Sequence, residues 1–128
     1  MNSSPNELPK PHYDLEDRTF QFALRVRQFL RKVPRLPSNV EDGKQLIRSS
    51  GSIGANYIEA NESLSDKDLL CRIKISRKEA KESHYWLRLL DISSTPDLEP
   101  DRTALIQEAY ELTRILGAIF RKRSRPTS

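Results

Sequence analysis

Apolar side chains recur every three or four positions through four successive segments of this chain. The first segment carries a seam of mostly apolar residues at alternating spacings of four and three: Leu15, Thr19, Phe22, Val26, Phe29 and Val33. Such spacing places the residues on one face of an amphipathic helix. Asp14 is a favourable N-cap residue, and Pro34 and Pro37 interrupt the pattern. The pattern therefore predicts a first helix that begins near Asp14.

The centre of the second segment is rich in Ser, Gly and Ala, a composition typical of a linker. A helical rhythm nevertheless continues straight through it, carried by Leu46, Ile47, Ile53, Tyr57 and Ile58. We predict a second helix from about Asn39 to Asn61. Gly51 and Ala55 form a pair of small residues four apart, so we expect a crowded helix crossing there.

The last two segments carry clearer start signals. Ser65, followed by Asp66 and Asp68, has the form of a capping box, and Pro100 is a favourable first-turn residue. The third seam, large at its ends and small in its middle, is Leu69, Ile73, Ser76, Ala80, Ser83, Leu87 and Leu90. The fourth is Leu105, Ala109, Leu112, Leu116 and Ile119, widened by Ile115 and Phe120. We expect the small middle of the third helix to fit against the small middle of the second.

Four helices joined by short connections predict an all-α fold, an antiparallel up-down-up-down four-helix bundle. A chain of 128 residues is most simply one domain. We assign residues 14–121 to the bundle, residues 1–13 to a disordered leader and residues 122–128 to a disordered basic tail. A single cysteine and the lack of a long apolar run predict a cytoplasmic protein that does not enter a membrane.

The net charge of +4 is concentrated at one end of the chain. Arg121, Lys122, Arg123 and Arg125 have no acidic neighbour, and the other 18 basic residues balance the 18 acidic ones. One interpretation is a tail that attracts phosphates or anionic lipid. The other is a frayed, solubilising helix end whose cations suit the negative end of the helix dipole.

Two further basic stripes are candidate phosphate contacts. The third helix carries Lys74, Arg77, Lys78 and Lys81 at three- and four-residue spacing, and the first carries Arg18, Arg25 and Lys32 at seven-residue spacing. The alternative is an ordinary solvated face with pairs such as Lys78 with Glu82. Neither stripe has interleaved exposed aromatic residues, so base-specific recognition is not indicated.

Polar residues of the second and third helices predict a hydrogen-bond network rather than a catalytic or metal site. We expect Asn56 and Glu59 to join Arg48 or Arg88. A di-iron bundle needs Glu-x-x-His on two helices, a spacing that this sequence lacks, so no metal and no cofactor are expected. No arrangement of a nucleophile and a base is recognisable, and we expect no enzymatic activity.

Three other side chains have predicted environments. Cys71, the single cysteine, is expected to be a small buried hydrophobe. Tyr85 and Trp86 are adjacent and cannot both point inward, so one is expected in the core and the other at a subunit contact.

Several segments together resemble a known family. They are Gln45-Leu46, Arg48, Ser52-Ile53, Asn56 to Ala60, Lys78-Glu79-Ala80 and Tyr85 to Leu90. The chain, from about Asp14 to Arg121, is similar to the bacterial four-helix-bundle proteins encoded in intervening sequences of 23S rRNA genes. A related branch is the accessory variability determinant of diversity-generating retroelements, which acts beside a reverse transcriptase.

The resemblance implies a bundle that assembles as a ring-shaped homo-oligomer of five subunits. It also implies nucleic-acid binding, to RNA or DNA, and a protein partner such as a reverse transcriptase. Many relatives end the second helix with Asn-Ile-Ala-Glu-Gly, whereas this chain has the bulkier Asn56-Tyr57-Ile58-Glu59-Ala60. Our first hypothesis is a small oligomeric adaptor that binds nucleic acid non-specifically through basic surfaces. The alternative is a protein-interaction scaffold with no nucleic-acid affinity.

Overall fold

The computed structural model describes residues 11–125 and, within them, the side chains from residue 15 onward. This range contains four α-helices and one short 3-10 turn: α1 (Pro11–Leu30), α2 (Pro37–Asn61), α3 (Asp66–Leu89), the 3-10 turn (Pro96–Leu98) and α4 (Glu99–Ser124). The sequence therefore predicted the number and order of the helices in the described range.

The helix starts differ slightly from the predicted ones. α1 begins at Pro11, before the predicted cap Asp14, and α2 begins at Pro37 rather than near Asn39. Proline suits the first helical position because its missing N–H would have no partner there. Pro37, which interrupts the first pattern, thus begins the second helix. The start of α3 is confirmed, since the Ser65 side chain accepts a hydrogen bond from the Asp68 N–H at 3.1 Å.

The predicted leader and tail are only partly within the described residues. Residues 11–13 of the leader belong to α1, and residues 122–124 of the tail extend α4. Residues 1–10 and 126–128 lie outside the described residues.

The helices pack in chain order, and α4 closes back on α1. Neighbouring helices run antiparallel, because the end of one meets the start of the next. At one end of the bundle Asn61 of α2 donates to Glu16 of α1. At the other end Asn39 of α2 bonds to Asp91, just beyond α3. α1 and α4 are antiparallel too: Arg18 pairs with Glu108, whereas Arg25, later in α1, lines a cavity with Asp101, earlier in α4.

The predicted seams form the core. Every seam residue of α1 is buried, as are those of α3 and α4 except the partly buried Leu69 and Ile119. The rhythm of α2 divides between two environments: Leu46, Ile53 and Tyr57 are buried, whereas Ile47 and Ile58 are exposed. Of the two bulky residues at the end of α2, Tyr57 therefore joins the core and Ile58 lies on the surface.

The small middles of α2 and α3 do meet. Ser49 and Ser83 are completely buried, with their hydroxyl oxygens 2.8 Å apart, and Ser76 donates to the carbonyl of Ile53 at 2.7 Å. Small hydroxyl side chains let the helices approach closely and satisfy each other's polar atoms.

The expected role of Gly51 and Ala55 at this crossing is wrong. Gly51 faces Arg27 of α1, and Ala55 is exposed. The close approach on the α1 side is made by Gly54 instead, where an added Cβ would lie 2.8 Å from Thr19 Oγ1.

A buried asparagine ties the loops at one end of the bundle. The Asn39 amide donates to the carbonyls of Pro34 and Asp91, and its oxygen accepts from the Asp91 N–H. The loop between α1 and α2 is thereby held against the end of α3. In the described part of the chain, none of the helices has the length and apolarity that a membrane crossing requires.

Candidate anion-binding surface

The basic stripe of α3 lines an open groove of about 580 Å³, which we call the α3 groove. Lys74, Lys78 and Lys81 are exposed, and Arg77 is half-buried. Their spacing of three and four residues places these four cations along one side of the helix, as the sequence predicted. Ile75 and Tyr85 form the apolar part of the lining, and Glu82 is its acidic member.

A smaller cavity of about 260 Å³ continues from this groove toward α4. We call it the Gly117 notch, and its lining is Lys74, Arg77, Gly117, Phe120 and Arg121. The Lys74 ammonium lies 5.9 Å from the centre of the Phe120 ring, a cation–π distance. Lys74 and Arg77 belong to both the groove and the notch, so the two form one continuous surface.

The cations of this surface lack acidic partners. Among the side chains that the structure describes, no carboxylate lies within 4.0 Å of Lys74, Arg77, Lys78, Lys81 or Arg121. The pair suggested by an ordinary solvated face, Lys78 with Glu82, is not formed. Glu82 instead pairs with Arg48 of α2 at 3.1 Å. The positive field of the groove is therefore not cancelled by contact pairing.

The basic residues at the end of α4 divide between the notch and the solvent. All four are exposed, but only Arg121 lines the notch, and Lys122, Arg123 and Arg125 do not. Arg123 lies 3.9 Å from an Asp66 oxygen at the start of α3, a loose contact between two exposed groups. All of these cations except Arg125 lie in the last turn of the helix, where they also suit its dipole.

The basic stripe of α1 does not join this surface. Arg18 makes a two-pronged ion pair with Glu108 of α4, with nitrogen–oxygen distances of 2.7 and 2.9 Å. Arg25 and Lys32 line a separate cavity together with Asp101 of α4. Sequence periodicity alone could not reveal this, because the acidic residues of α4 that face the stripe lie about 70 to 90 residues away along the chain.

The predicted polar network forms in part and with different partners. Arg48 bonds to Glu82 and lies 3.4 Å from Glu79, which is 7% exposed. Arg48 Nη1 also donates to Glu79 Oε2 at 3.5 Å, whereas Glu79 Oε1, which lies 3.4 Å from Nη2, accepts no hydrogen bond. Asn56 accepts from Arg72 of α3 at 3.1 Å.

Glu59 and Arg88 stand outside this network. Both are exposed and neither makes a side-chain hydrogen bond or ion pair within the described residues. Their positions on the outer faces of α2 and α3 carry them away from Arg48. The sequence signal that the prediction missed is Glu79, which falls three residues after Ser76 and one before Ala80, both in the buried seam.

The expected burial of Cys71 is wrong: the thiol is exposed. Cys71 lies two residues before the seam residue Ile73, and two residues rotate a helix by about 200°, so it points outward. It also lies one turn before Lys74, at the end of the stripe that lines the α3 groove.

The aromatic pair near the end of α3 divides as predicted between inside and outside. Trp86 packs against the core, and Tyr85 is 53% exposed with its ring edge-on to Trp86 at 5.0 Å. Tyr85 also lines the α3 groove. The stripe from Lys74 to Lys81 contains no interleaved aromatic residue, as predicted, but the exposed Tyr85 stands one helical turn beyond Lys81.

Metal ligands are not gathered in the described residues, where no three His, Cys, Asp or Glu side chains lie together. His84 is partly buried on α3, and burial followed by repulsion from Arg88 holds the pKa of its imidazole below the ordinary value. A neutral imidazole adds nothing to the positive field of α3 at neutral pH.

The four sequentially packed α-helices place the protein in the class of all-α four-helix bundles. The chain belongs to the 23S rRNA-intervening sequence protein family, whose model matches residues 12–118.

A solved structure supports the same fold. The chain is similar to a crystal structure of a protein of unknown function from the S23 ribosomal protein family of Bacteroides thetaiotaomicron. The two share 29% sequence identity with a TM-score of 0.72, over 83% of this chain and 97% of that one. No curated protein matches this chain significantly.

Proposed function

We propose that the protein is a cytoplasmic, non-enzymatic adaptor that binds nucleic acid through the α3 groove and the Gly117 notch. The observation that carries this proposal is the set of five cations on one continuous surface without a carboxylate partner. Like charges so close together repel one another, and a strand of phosphates relieves that repulsion while releasing its own counterions.

The composition of the groove favours binding without base specificity. Lysine ammonium groups contact phosphates as point charges and do not read base edges. The exposed Tyr85 ring offers a stacking surface, which favours a single-stranded segment because its bases are free to stack. We therefore expect single-stranded RNA or DNA to bind more tightly than duplex.

We further propose that the protein acts as a homo-oligomeric ring of five subunits, as the family resemblance implies. Large apolar side chains that are exposed on α1 and α2 support a contact between subunits, among them Phe20, Leu24, Ile47 and Ile58. A ring would repeat the groove in every subunit, so a modest affinity per site would add up along one strand. In the retroelement branch the corresponding protein partner is a reverse transcriptase, and we include such a partner in the proposal.

The decisive experiment is a fluorescence-anisotropy titration of labelled single strands and duplexes over a range of salt concentrations. The groove variant is Lys78→Gln with Lys81→Gln. Its matched control, Arg25→Gln with Lys32→Gln, removes the same charge from α1. We expect the groove variant to reduce the slope of log affinity against log salt by roughly 1.5, because two phosphate contacts are lost.

The control variant should bind nearly as well as the intact protein. Equal weakening by both variants would mean that only the overall charge matters and that the groove is not the site. No binding by the intact chain near physiological salt would reject the nucleic-acid proposal altogether.

A protein-interaction scaffold is the second candidate function. It is favoured by the exposure of Phe20, which is 61% exposed, with Leu24 one turn further along α1. This candidate predicts no salt-dependent binding of nucleic acid. It also predicts a protein partner that the intact chain captures. The Phe20→Ser variant, in which the groove is unchanged, should not capture that partner.

A further inference from the structure

We propose that the Gly117 notch is a built site for one phosphate group, held by Arg77 and Arg121 with Lys74 beside them. This inference rests on the proposed function and deepens it, because it assigns one defined phosphate position within an otherwise unspecific surface. The same phosphate chemistry occurs in free inorganic phosphate and in a nucleic-acid strand, and the experiment below distinguishes the two.

The first observation is that two guanidinium groups converge on the same point. A Cβ added to Gly117 would lie 3.0 Å from Arg77 Nε and 3.3 Å from Arg121 Nη1. The two cations belong to different helices, so their meeting is a product of the fold. Electrostatic repulsion between two groups of like charge raises the free energy of the folded state, and an anion bound beside both would offset that repulsion.

The second observation is an unused donor. Arg77 Nε is buried, and it has no hydrogen-bond partner among the described residues. Almost all buried polar atoms in folded proteins are paired, so an exception calls for a ligand or an ordered solvent molecule. A phosphate oxygen is a suitable acceptor, since arginine presents its donors in a fork that matches this geometry.

The third observation is that a glycine stands where the two guanidiniums approach α4. Gly117 is buried in the later half of α4, where alanine would be the better helix former. Its missing side chain lets Arg77 Nε lie against the helix at the wall of the notch, which has a volume of about 260 Å³. An alanine there would occupy the point that both guanidiniums approach, without changing any charge.

Gly117→Ala is therefore the test variant, and Gly43→Ala is its control. Gly43 is also a buried helical glycine, and its added Cβ would meet only Leu30 at an ordinary distance of 3.6 Å. Both variants should fold, because alanine raises helix propensity. Thermal unfolding of each confirms that the fold is intact.

The readout is the Nε–H signal of Arg77 in nitrogen–proton NMR spectra during titration with inorganic phosphate. A saturable downfield shift is expected in the intact protein and in Gly43→Ala. In Gly117→Ala the affinity should fall about tenfold or more, as expected for a lost charge-assisted hydrogen bond. Arg77→Lys, which keeps the charge but loses the fork and the Arg77 signal, is followed through the backbone N–H signal of Gly117 and should weaken binding similarly.

Whether the phosphate in the notch can belong to a nucleic-acid strand is tested with the single-stranded oligonucleotide that is used for the groove. Phosphate binding at the notch without oligonucleotide binding would uphold this inference and reject the proposed function. Oligonucleotide binding that Gly117→Ala leaves unchanged, while the groove variant weakens it, would overturn the inference and keep the proposed function. An Arg77 signal that phosphate does not move would also overturn it.

Discussion

At the scale of single residues, the chain uses its few glycines in two ways. Gly54 lets the backbone of α2 lie close to Thr19 of α1, whereas Gly117 lets two arginine side chains lie close to the backbone of α4. All four glycines lie in helices, and none has a positive φ. Glycine therefore serves at these positions because it lacks a side chain, and not because it can adopt an unusual backbone conformation.

Gly54→Ala is expected to destabilise the protein by about 1 to 3 kcal/mol, because its Cβ would clash with Thr19 and overpack the crossing. Gly43→Ala should instead be neutral or stabilise by up to about 1 kcal/mol, through helix propensity. Urea unfolding of both variants provides the comparison. A Gly54→Ala variant as stable as the intact protein would show that the crossing can relax.

His84 gives a prediction about pH. Because burial and Arg88 lower the pKa of the folded state, the neutral imidazole is favoured. Its contribution to stability is complete above the ordinary histidine pKa of about 6.5 and is lost as the pH falls below it. An NMR titration should give a midpoint below that of a model peptide. Arg88→Gln should raise the midpoint only in part, since burial is the larger cause.

At the scale of helices, the heptad-like seams specified the bundle well, and the surface pairings escaped prediction. Seam residues such as Phe22 and Leu112 are completely buried, because periodicity directly encodes which face of a helix turns inward. The partner of Arg18 was not predictable, because it depends on which helices become neighbours and at what height. The same limitation applies to the notch, whose cations come from two helices.

The pairing of α1 with α4 can be tested through Arg18. Arg18→Gln should destabilise the protein by about 1 kcal/mol, because a partly buried two-pronged pair is lost and Glu108 is left behind. Arg25→Gln removes the same charge from the same helix and should change stability by less than about 0.5 kcal/mol. Similar losses in the two variants would indicate a general charge effect.

At the scale of the whole molecule, the cationic surface and one set of exposed apolar residues lie on different helices, although the exposed Tyr85 lines the groove itself. The cations lie on α3 and the end of α4, whereas Phe20, Leu24, Ile47 and Ile58 lie on α1 and α2. An assembly through the apolar side chains would therefore leave the groove open to a ligand.

The proposed ring gives a direct expectation for molar mass. Light scattering on the eluting protein should give about five times the 14.8 kDa of one chain. Phe20→Ser with Ile58→Ser should shift the mass toward the monomer, while Lys78→Gln with Lys81→Gln should not. A monomeric intact protein would reject the ring.

The single exposed cysteine has a practical consequence. Cys71 is the only thiol of the chain and lies one turn from Lys74, so a maleimide dye can be attached there without removing other cysteines by mutation. Energy transfer from that dye to a labelled strand would measure how close the strand comes to α3. Spin labels on the same sulfur atom would report distances between subunits. The natural sequence therefore allows both the strand and the assembly to be located by distance measurements from Cys71.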